Sequence, residues 1–336
     1  MMLNTEKKMI GGEQELEDEG LYCGVTNSGR SSLRWIIRSM SLQGKRVLAP
    51  DYLCQVVIDV LHEFDIDIHF YRVEDNFEFS LPSDLSKFDV IYLVKYFGHQ
   101  SDSLKRLFKT SHTPIIIDDV FGVSPPAVDI SAHWCYFNSL RKVSEVTDYS
   151  QIHSNVPLLT VAKEDNEVFS SGKLLAKYKK FDFINNAVGS ESLYLSAFNI
   201  AEEALDINKG ICRPSDNGIT LSGKFFFRLE GEKKHRVKNQ KVVLETLSKC
   251  KGINVIDINA DLYSFQPIII EGCRDEIRKE LFNHNVFLAV HWPKVSGSMS
   301  SLPQRVLSIP LDSRYSESDM KELCYLIISL IKKVGP

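Results

Sequence analysis

The sequence predicts an α/β protein in which a large domain built on a mostly parallel sheet precedes a smaller C-terminal α+β domain. Its 336 residues are enough for two domains of ordinary size. Up to about residue 160, short apolar runs alternate with stretches of helical spacing. Such runs suit strands buried on both faces of a parallel sheet, and their alternation with helices is typical of α/β layers. Beyond about residue 206, the order of helix, strand, helix, strand and helix predicts the smaller domain.

Particular segments account for each predicted element. The strands of the large domain are predicted at 46–49, 66–71, 89–94, 113–118, 133–138 and 156–161. Its helices are predicted at 31–41, 53–64 and 102–109, and a helix-rich segment from 163 to 206 links the domains. The smaller domain is predicted to contain a helix at 232–249, strands at 264–270 and 286–290, a helix at 275–283 and a final helix from 316. Residues 1–20 are predicted as an N-terminal arm, 21–205 as the large domain and 206–336 as the small one.

Composition excludes several classes of protein. Hydrophobic residues make up 43% and charged residues 25%, which is typical of a globular chain. The net charge of −4 comes from basic and acidic residues spread along the sequence, so we expect no nucleic-acid partner. The seven cysteines are scattered without a C-x-x-C pair, which indicates thiols in a reducing compartment. No apolar run approaches the ~20 residues of a membrane span. We therefore expect a cytoplasmic protein without membrane contact.

The candidate chemistry lies at the ends of predicted strands. Asp118 and Asp119 end the strand at 113–118, and Lys142 follows the strand at 133–138. Pyridoxal phosphate needs a carboxylate for its ring nitrogen and an amine for its aldehyde. One of these aspartates together with Lys142 could supply both. Such residues are also common at strand tips, and a lysine is often only solvated. The pair is therefore a hypothesis that needs a phosphate site.

A phosphate site is predicted at the turn formed by Ser28, Gly29 and Arg30. This turn enters a helix, where free backbone N–H groups and the helix dipole favour an anion. Gly29 allows close approach, and Arg30 could add a charge-assisted bond. The alternative is a plain helix start capped by Ser28.

Other site classes lack their motifs. The nine histidines are dispersed, without the spacing of a metal site. Neither a Gly-x-Ser-x-Gly nor a Gly-x-Gly-x-x-Gly motif occurs, which disfavours a serine hydrolase and a dinucleotide-binding domain.

Motifs along nearly the whole chain resemble the DegT/DnrJ/EryC1/StrS family of pyridoxal-phosphate-dependent sugar aminotransferases. The similar segments are 10–13, 28–33, 49–54, 96–100, 139–142, 290–293 and 307–315. The chain resembles the branch with Ser-Gly-Arg at the phosphate turn and Ser-Leu-Arg-Lys at the lysine. The resemblance implies the fold type I of these transferases.

The resemblance also implies roles for individual residues. Lys142 would bind the cofactor aldehyde and then move a proton between cofactor carbons, and Asp119 would face the ring nitrogen. Other positions would bind the cofactor: Ser28, Gly29, Arg30 and Ser139 at the phosphate, and Tyr52 and Cys54 over the ring face. Three residues would border the substrate: His99, His291 and Trp292.

The chain departs from the family pattern at three places. Gly122 stands where relatives often have a His or Gln that contacts the ring hydroxyl, so Gln100 or Asn138 would have to serve. Cys54 stands where an aromatic ring is common, and residues 147–150 replace a Gly-Gly turn. These departures affect cofactor affinity and substrate identity rather than the fold.

The resemblance implies an enzyme that transfers an amino group from an amino acid, glutamate being the expected donor, to a keto group of a nucleotide-linked sugar. Such a reaction would serve the synthesis of surface polysaccharide or a glycosylated metabolite. A homodimer with active sites near the subunit interface is implied as well. One alternative is a pyridoxal-phosphate-dependent sugar dehydratase, which typically has histidine in place of Lys142. Another is a catalytically degenerate homologue that acts as a binding module.

Overall fold

The computed structural model describes residues 21–126 and 130–334, so the predicted N-terminal arm and the similar segment 10–13 lie outside it. Its larger part is an eight-stranded sheet in the order β1-β8-β7-β6-β5-β2-β3-β4. The strands are β1 Tyr22–Thr26, β2 Arg46–Pro50, β3 Asp67–Val73, β4 Phe79–Ser80, β5 Val90–Val94, β6 Ile115–Asp118, β7 Trp134–Phe137 and β8 Ser150–Ser154. The central strands β3, β2, β5, β6 and β7 are parallel, whereas β1, β8 and β4 pair in antiparallel fashion. This sheet confirms the predicted fold class.

Helices cover the sheet because its central strands are apolar on both faces. Every residue of β5, β6 and β7 is buried. The helices of this part are α1 Gly29–Ser39, α2 Gln55–His62, α3 Asp102–Thr110, α4 Glu167–Asn186, α5 Glu191–Ile207 and α6 Asp216–Leu247. Among the described residues, no helix has both the length and the apolar character that crossing a bilayer would require.

A second sheet of three antiparallel strands forms the smaller α+β part. Its strands are β9 Ile253–Val255, β10 Phe265–Ile270 and β11 Val306–Pro310, in the order β11-β10-β9. Its helices are α7 Arg274–Phe282, α8 Leu302–Arg305 and α9 Glu317–Val334. These elements and the end of α6 enclose a hydrophobic core separate from that of the large sheet.

Two predicted strands are wrong. The segment 156–161 is irregular, and the strand is β8, just before it. The hydroxyl of Ser154 bonds both the N–H and the C=O of Val156, which turns the chain, and Pro157 has no N–H for a ladder. The segment 286–290 contributes only one bridge, between Ala289 and Ser308 of the edge strand β11, and is otherwise irregular.

The parallel register brings candidate residues to one edge of the large sheet. Asp118, the last residue of β6, pairs with Val94 of β5 and Phe137 of β7. Segments that follow these strands therefore meet at the carboxyl edge, which is where ligands bind in open α/β sheets.

Candidate active site

A small inner cavity of about 160 Å³ lies at this carboxyl edge. It is lined by the start of α1, the residue before α2, the end of β6 and the segment after β7. The predicted site residues in its wall are Ser28, Gly29, Arg30, Cys54, Ser139, Lys142, His291 and Trp292. Two acidic side chains also line it, Asp118 and Glu202. The fold thus brings together the predicted phosphate turn and the predicted lysine.

Lys142 is the amine of this cavity. It follows β7 in a short turn, and its exposed side chain lines the inner cavity. The neighbouring Arg141 charge, together with burial, lowers the pKa of Lys142 to about 8. A neutral amine is therefore accessible near physiological pH, which nucleophilic attack on an aldehyde requires.

The start of α1 is the part of the cavity wall that is suited to an anion. The hydroxyl of Ser28 accepts a 3.3 Å hydrogen bond from Ser31 N, so Ser28 caps the helix and also lines the cavity. A Cβ on Gly29 would lie 3.3 Å from the ring of Phe137, a tight contact that favours glycine. The first N–H groups of a helix have no intrahelical partner and attract anions. Arg30 adds a cation, which forms a 2.5 Å ion pair with Asp206.

Asp118 is the carboxylate that faces the cavity. Its side chain is 4% exposed, and its Oδ2 accepts a 2.7 Å hydrogen bond from the hydroxyl of Tyr92. Burial raises the pKa of Asp118 to about 7, while this hydrogen bond acts in the opposite direction. Ionisation is therefore costly without a cationic ligand, and a protonated ring nitrogen would supply one.

Asp119, the carboxylate predicted for the ring nitrogen, lies elsewhere. It forms a buried ion pair with Lys95 and is not part of the cavity wall. A Cβ on Gly122 would overlap the Asp119 carboxylate, so the side chain occupies the space of a larger residue there. Gly122, a departure from the family pattern, is thus explained by the conformation of Asp119.

Four further predicted residues lie outside the cavity wall. Tyr52 is buried in a stack with Tyr96 at a centroid distance of 5.2 Å. Asn138 exchanges two hydrogen bonds with Gln151 of β8, which leaves its amide committed to the sheet. His99 and Gln100 both bind the backbone of Asn259, joining the loop after β5 to the smaller part.

His291 and Trp292 form the aromatic side of the cavity. The ring of His291 packs against Phe265 at 4.4 Å between centroids, and its Nδ1 lies 2.9 Å from the hydroxyl of Ser308. Burial, helped by the charge of Lys142, lowers the pKa of His291 to about 3. The imidazole is therefore neutral at physiological pH and can form hydrogen bonds without adding charge.

A wider outer cavity of about 910 Å³ shares Arg141 and Lys142 with the inner one. Its wall contains eight basic residues and three acidic ones. The basic residues are Arg141, Lys142, Lys173, Lys177, Lys180, Arg228, Arg236 and Arg314. In the part of the chain that the structure describes, no carboxylate lies within 4 Å of the amine of Lys177 or Lys180. The outer cavity is therefore suited to an anionic ligand.

Glu202, in the wall of the inner cavity, pairs with two basic residues of the outer cavity. It accepts a 2.9 Å bond from Arg141 and forms an ion pair with Lys173. Burial alone would raise the pKa of Glu202, but these two cations lower it to about 2. Glu202 is thus ionised and keeps Arg141 beside Lys142.

The sequence named Asp118 but led to Asp119 for the ring nitrogen, and sequence reasoning missed Glu202 and the lysines of α4. The tandem Asp-Asp gave two candidates, and the family pattern selected the second of them. Lys173, Lys177 and Lys180 have the spacing of one helix face, a signal present in the sequence. The contact of Glu202 with Arg141 joins residues far apart in the chain and had no local signal.

The described elements form the fold of known aminotransferases, as comparison with solved structures shows. Aminotransferase TlmJ from Streptoalloteichus hindustanus is 13% identical with a TM-score of 0.67, and the match covers 94% of this chain and 87% of that one. PseC from Helicobacter pylori, an aminotransferase involved in pseudoaminic acid biosynthesis, is 12% identical with a TM-score of 0.67 and coverages of 93% and 87%. A DegT DnrJ EryC1 StrS aminotransferase from Brucella abortus is 15% identical with a TM-score of 0.63 and coverages of 92% and 86%.

These structural neighbours are aminotransferases, one of them with the name of the family that the sequence resembles, and at such identities they show the fold. The predicted fold is therefore confirmed. No protein-family model and no curated protein matches the chain.

Proposed function

We propose that this protein is a pyridoxal-phosphate-dependent aminotransferase that acts on a keto group of a nucleotide-linked sugar. The observation that carries the proposal is one cavity that combines Lys142, Asp118 and the N-terminus of α1. These groups match the three parts of the cofactor, which are its aldehyde, its ring nitrogen and its phosphate. Among the solved structures of the same fold, Spr1654 from Streptococcus pneumoniae is described in PLP and PMP forms.

Each group of residues in the inner cavity would have its own role toward the cofactor. When bound, pyridoxal phosphate supplies an electron sink that stabilises negative charge on the carbon next to the amine nitrogen. Lys142 Nζ would hold the aldehyde end of the cofactor and would accept and return the proton at that carbon, for which a pKa of about 8 is suitable. Ser28, Gly29, Arg30 and Ser139 would hold the phosphate. Asp118, rather than Asp119, would keep the ring nitrogen protonated.

The basic wall of the outer cavity supports the proposal that the substrate is a sugar with a phosphate or diphosphate group. Lys177 and Lys180 extend from α4 into this cavity without a carboxylate partner among the described residues. Burial lowers the pKa of Lys177 to about 8, and a bound phosphate would raise it again. DesI, a structural neighbour with the same fold, has been solved in the presence of its TDP-sugar product. We infer that the amino donor is glutamate, whose carboxylates suit the same basic wall.

A homodimer is part of this proposal. Helices α4 and α5 expose large apolar side chains that a monomer would leave in water: Val168, Leu175, Tyr178, Phe181, Ile184, Leu193, Leu195, Ile200 and Ile207. Exposed apolar area of this extent indicates a contact surface. Phe181 and Ile184 also line the outer cavity, so a second subunit on this surface would border the substrate. We place the enzyme in the cytoplasm, where thiols stay reduced.

The test is capture of the cofactor. Purified protein is mixed with pyridoxal phosphate, its absorbance is recorded, and borohydride reduction is followed by peptide mapping. We expect the label on Lys142, none in Lys142→Ala, and normal labelling in the matched control Lys180→Ala. Glutamate should then convert the bound cofactor to its amine form. Absence of label from every lysine would contradict the enzyme and favour the degenerate binding module.

A further inference from the structure

A tyrosine beneath the inner cavity binds the carboxylate in its wall. Tyr92 lies in the middle of β5 and is fully buried. Its hydroxyl donates the 2.7 Å hydrogen bond to Oδ2 of Asp118. The other oxygen, Oδ1, accepts from the backbone N–H of Val120 at 3.3 Å. Each oxygen of Asp118 thus has one donor, and the two donors fix the plane of the carboxylate.

The hydroxyl of Tyr92 reaches Asp118 from a rigid part of the sheet. In the parallel register of β5 and β6, Tyr92 pairs with Ile116, two residues before Asp118. The backbone C=O of Tyr92 also accepts a 3.1 Å hydrogen bond from the hydroxyl of Tyr71. A donor held by the pairing of two central strands can orient a functional group more accurately than a donor on a loop.

The hydrogen bond favours the ionised carboxylate. Burial, with the Asp118 charge adding to it, raises the pKa of Tyr92 well above its usual value, so the phenol stays protonated. The groups that act on Asp118 besides burial are Tyr92, Val120 N and Lys142, which lower its pKa, and Asp119, which raises it. Removing the phenol should therefore raise the pKa of Asp118.

A neutral donor differs from the cation that binds the neighbouring carboxylate. Lys95 cancels the charge of Asp119, whereas Tyr92 orients Asp118 and leaves its negative charge for a ligand. We propose that Tyr92 is a positioning residue, which keeps Asp118 ionised and oriented toward the protonated ring nitrogen of the cofactor. This inference rests on the proposed function, and no predicted role had been given to Tyr92.

The test compares Tyr92→Phe with Tyr71→Phe, a matched loss of a buried hydroxyl. Carboxyl ¹³C shifts of labelled aspartate, assigned with Asp118→Asn, give the pKa of Asp118 in the cofactor-free protein. Absorbance titration gives the dissociation constant of pyridoxal phosphate. Because the phenol stabilises the charged form of the carboxylate, Tyr92→Phe should raise the pKa of Asp118 by about one unit and weaken cofactor binding about tenfold. Tyr71→Phe should change the dissociation constant less than about twofold, because its hydroxyl bonds a neutral carbonyl.

A second variant keeps the test independent of folding. Incorporating 3-fluorotyrosine at position 92 retains the hydroxyl and makes it a stronger donor, so the pKa of Asp118 should fall. An unchanged pKa of Asp118 in both variants would overturn the proposal, as would unchanged cofactor affinity in Tyr92→Phe. If unaltered protein does not capture pyridoxal phosphate, the proposed function itself fails. The ¹³C titration would then still report whether Tyr92 binds Asp118, so the two failures are distinguishable.

Discussion

Two neighbouring aspartates at the end of β6 serve different regions of the molecule. Asp118 faces the inner cavity with Lys142, and its partners are a phenol and a backbone N–H. Asp119 turns the other way, toward Gly98, and is paired with Lys95. Both are buried, and burial raises the pKa of both. The comparison teaches that, of two buried carboxylates, the one without an ion pair to a lysine is the one available to a cationic ligand.

The largest expected effect separates the two aspartates in catalysis. Asp118→Asn should lower the rate of amino transfer by about 10²–10³, the range for loss of a key electrostatic group. Asp119→Asn should leave the rate of the folded enzyme within about tenfold, because Asp119 is not in the cavity wall. Stopped-flow absorbance of the glutamate half-reaction measures both. A larger rate loss in Asp119→Asn than in Asp118→Asn would reverse the assignment.

The next effect concerns stability on the side of Asp119. Lys95→Met leaves a buried carboxylate without its cation, which typically costs about 3–5 kcal/mol. The double variant Lys95→Met/Asp119→Leu removes both charges and should recover most of that loss. Urea unfolding of the cofactor-free protein gives the free energies. If Lys95→Met has the same free energy of unfolding as the unaltered protein, the ion pair does not contribute to stability in the way proposed.

The effect of pH sharpens the comparison on the cavity side. The pKa of Asp118 is raised to about 7, so between pH 4 and 7 the unfolded chain is ionised while the folded one still holds the proton. This group's contribution to stability therefore falls as pH rises through that window. Asp118→Asn removes the effect and should stabilise the cofactor-free protein at pH 8 by roughly 1–4 kcal/mol. Thermal unfolding at pH 5 and pH 8 checks this, and an equal effect at both values would contradict it.

The smallest effect extends the comparison to the outer cavity. Replacing both Lys177 and Lys180 with Gln removes two charges that have no carboxylate partner within 4 Å in the described residues. We expect KM for a phosphorylated sugar to rise about fivefold to tenfold, with kcat nearly unchanged, because these contacts exist before and after the reaction. Lys209→Gln, at a residue that lines neither cavity, is the control. A fall in kcat with unchanged KM would argue against substrate binding here.

The sequence predicted much of the fold because buried parallel strands have a strong local signature. Continuous apolar runs such as β5 and β6 identify strands without knowledge of their partners. Strand β8 was missed because its polar residues resemble a loop, and only its pairing with β1 and β7 makes it a strand. Likewise, the apolar segment 286–290 was predicted as a strand, although β10 pairs with β11, a strand that lies further along the chain.

The candidate site was predictable where one segment contains the whole feature. The turn at Ser28, predicted to bind phosphate, and the lysine at position 142 are of this kind, and both line the cavity. The orientation of Asp118 and Asp119 was not predictable, because β6 is buried on both faces and alternation then gives no preferred side. Tyr52 and Asn138 were assigned by position along the chain, whereas packing directs one into an aromatic stack and the other to β8.

The most direct test of the account is the ¹⁵N chemical shift of ring-labelled pyridoxal phosphate bound to the unaltered protein, Asp118→Asn and Asp119→Asn. We expect a protonated ring nitrogen in the unaltered protein and in Asp119→Asn, and a deprotonated one in Asp118→Asn. A ring nitrogen that loses its proton in Asp119→Asn and keeps it in Asp118→Asn would contradict the central claim.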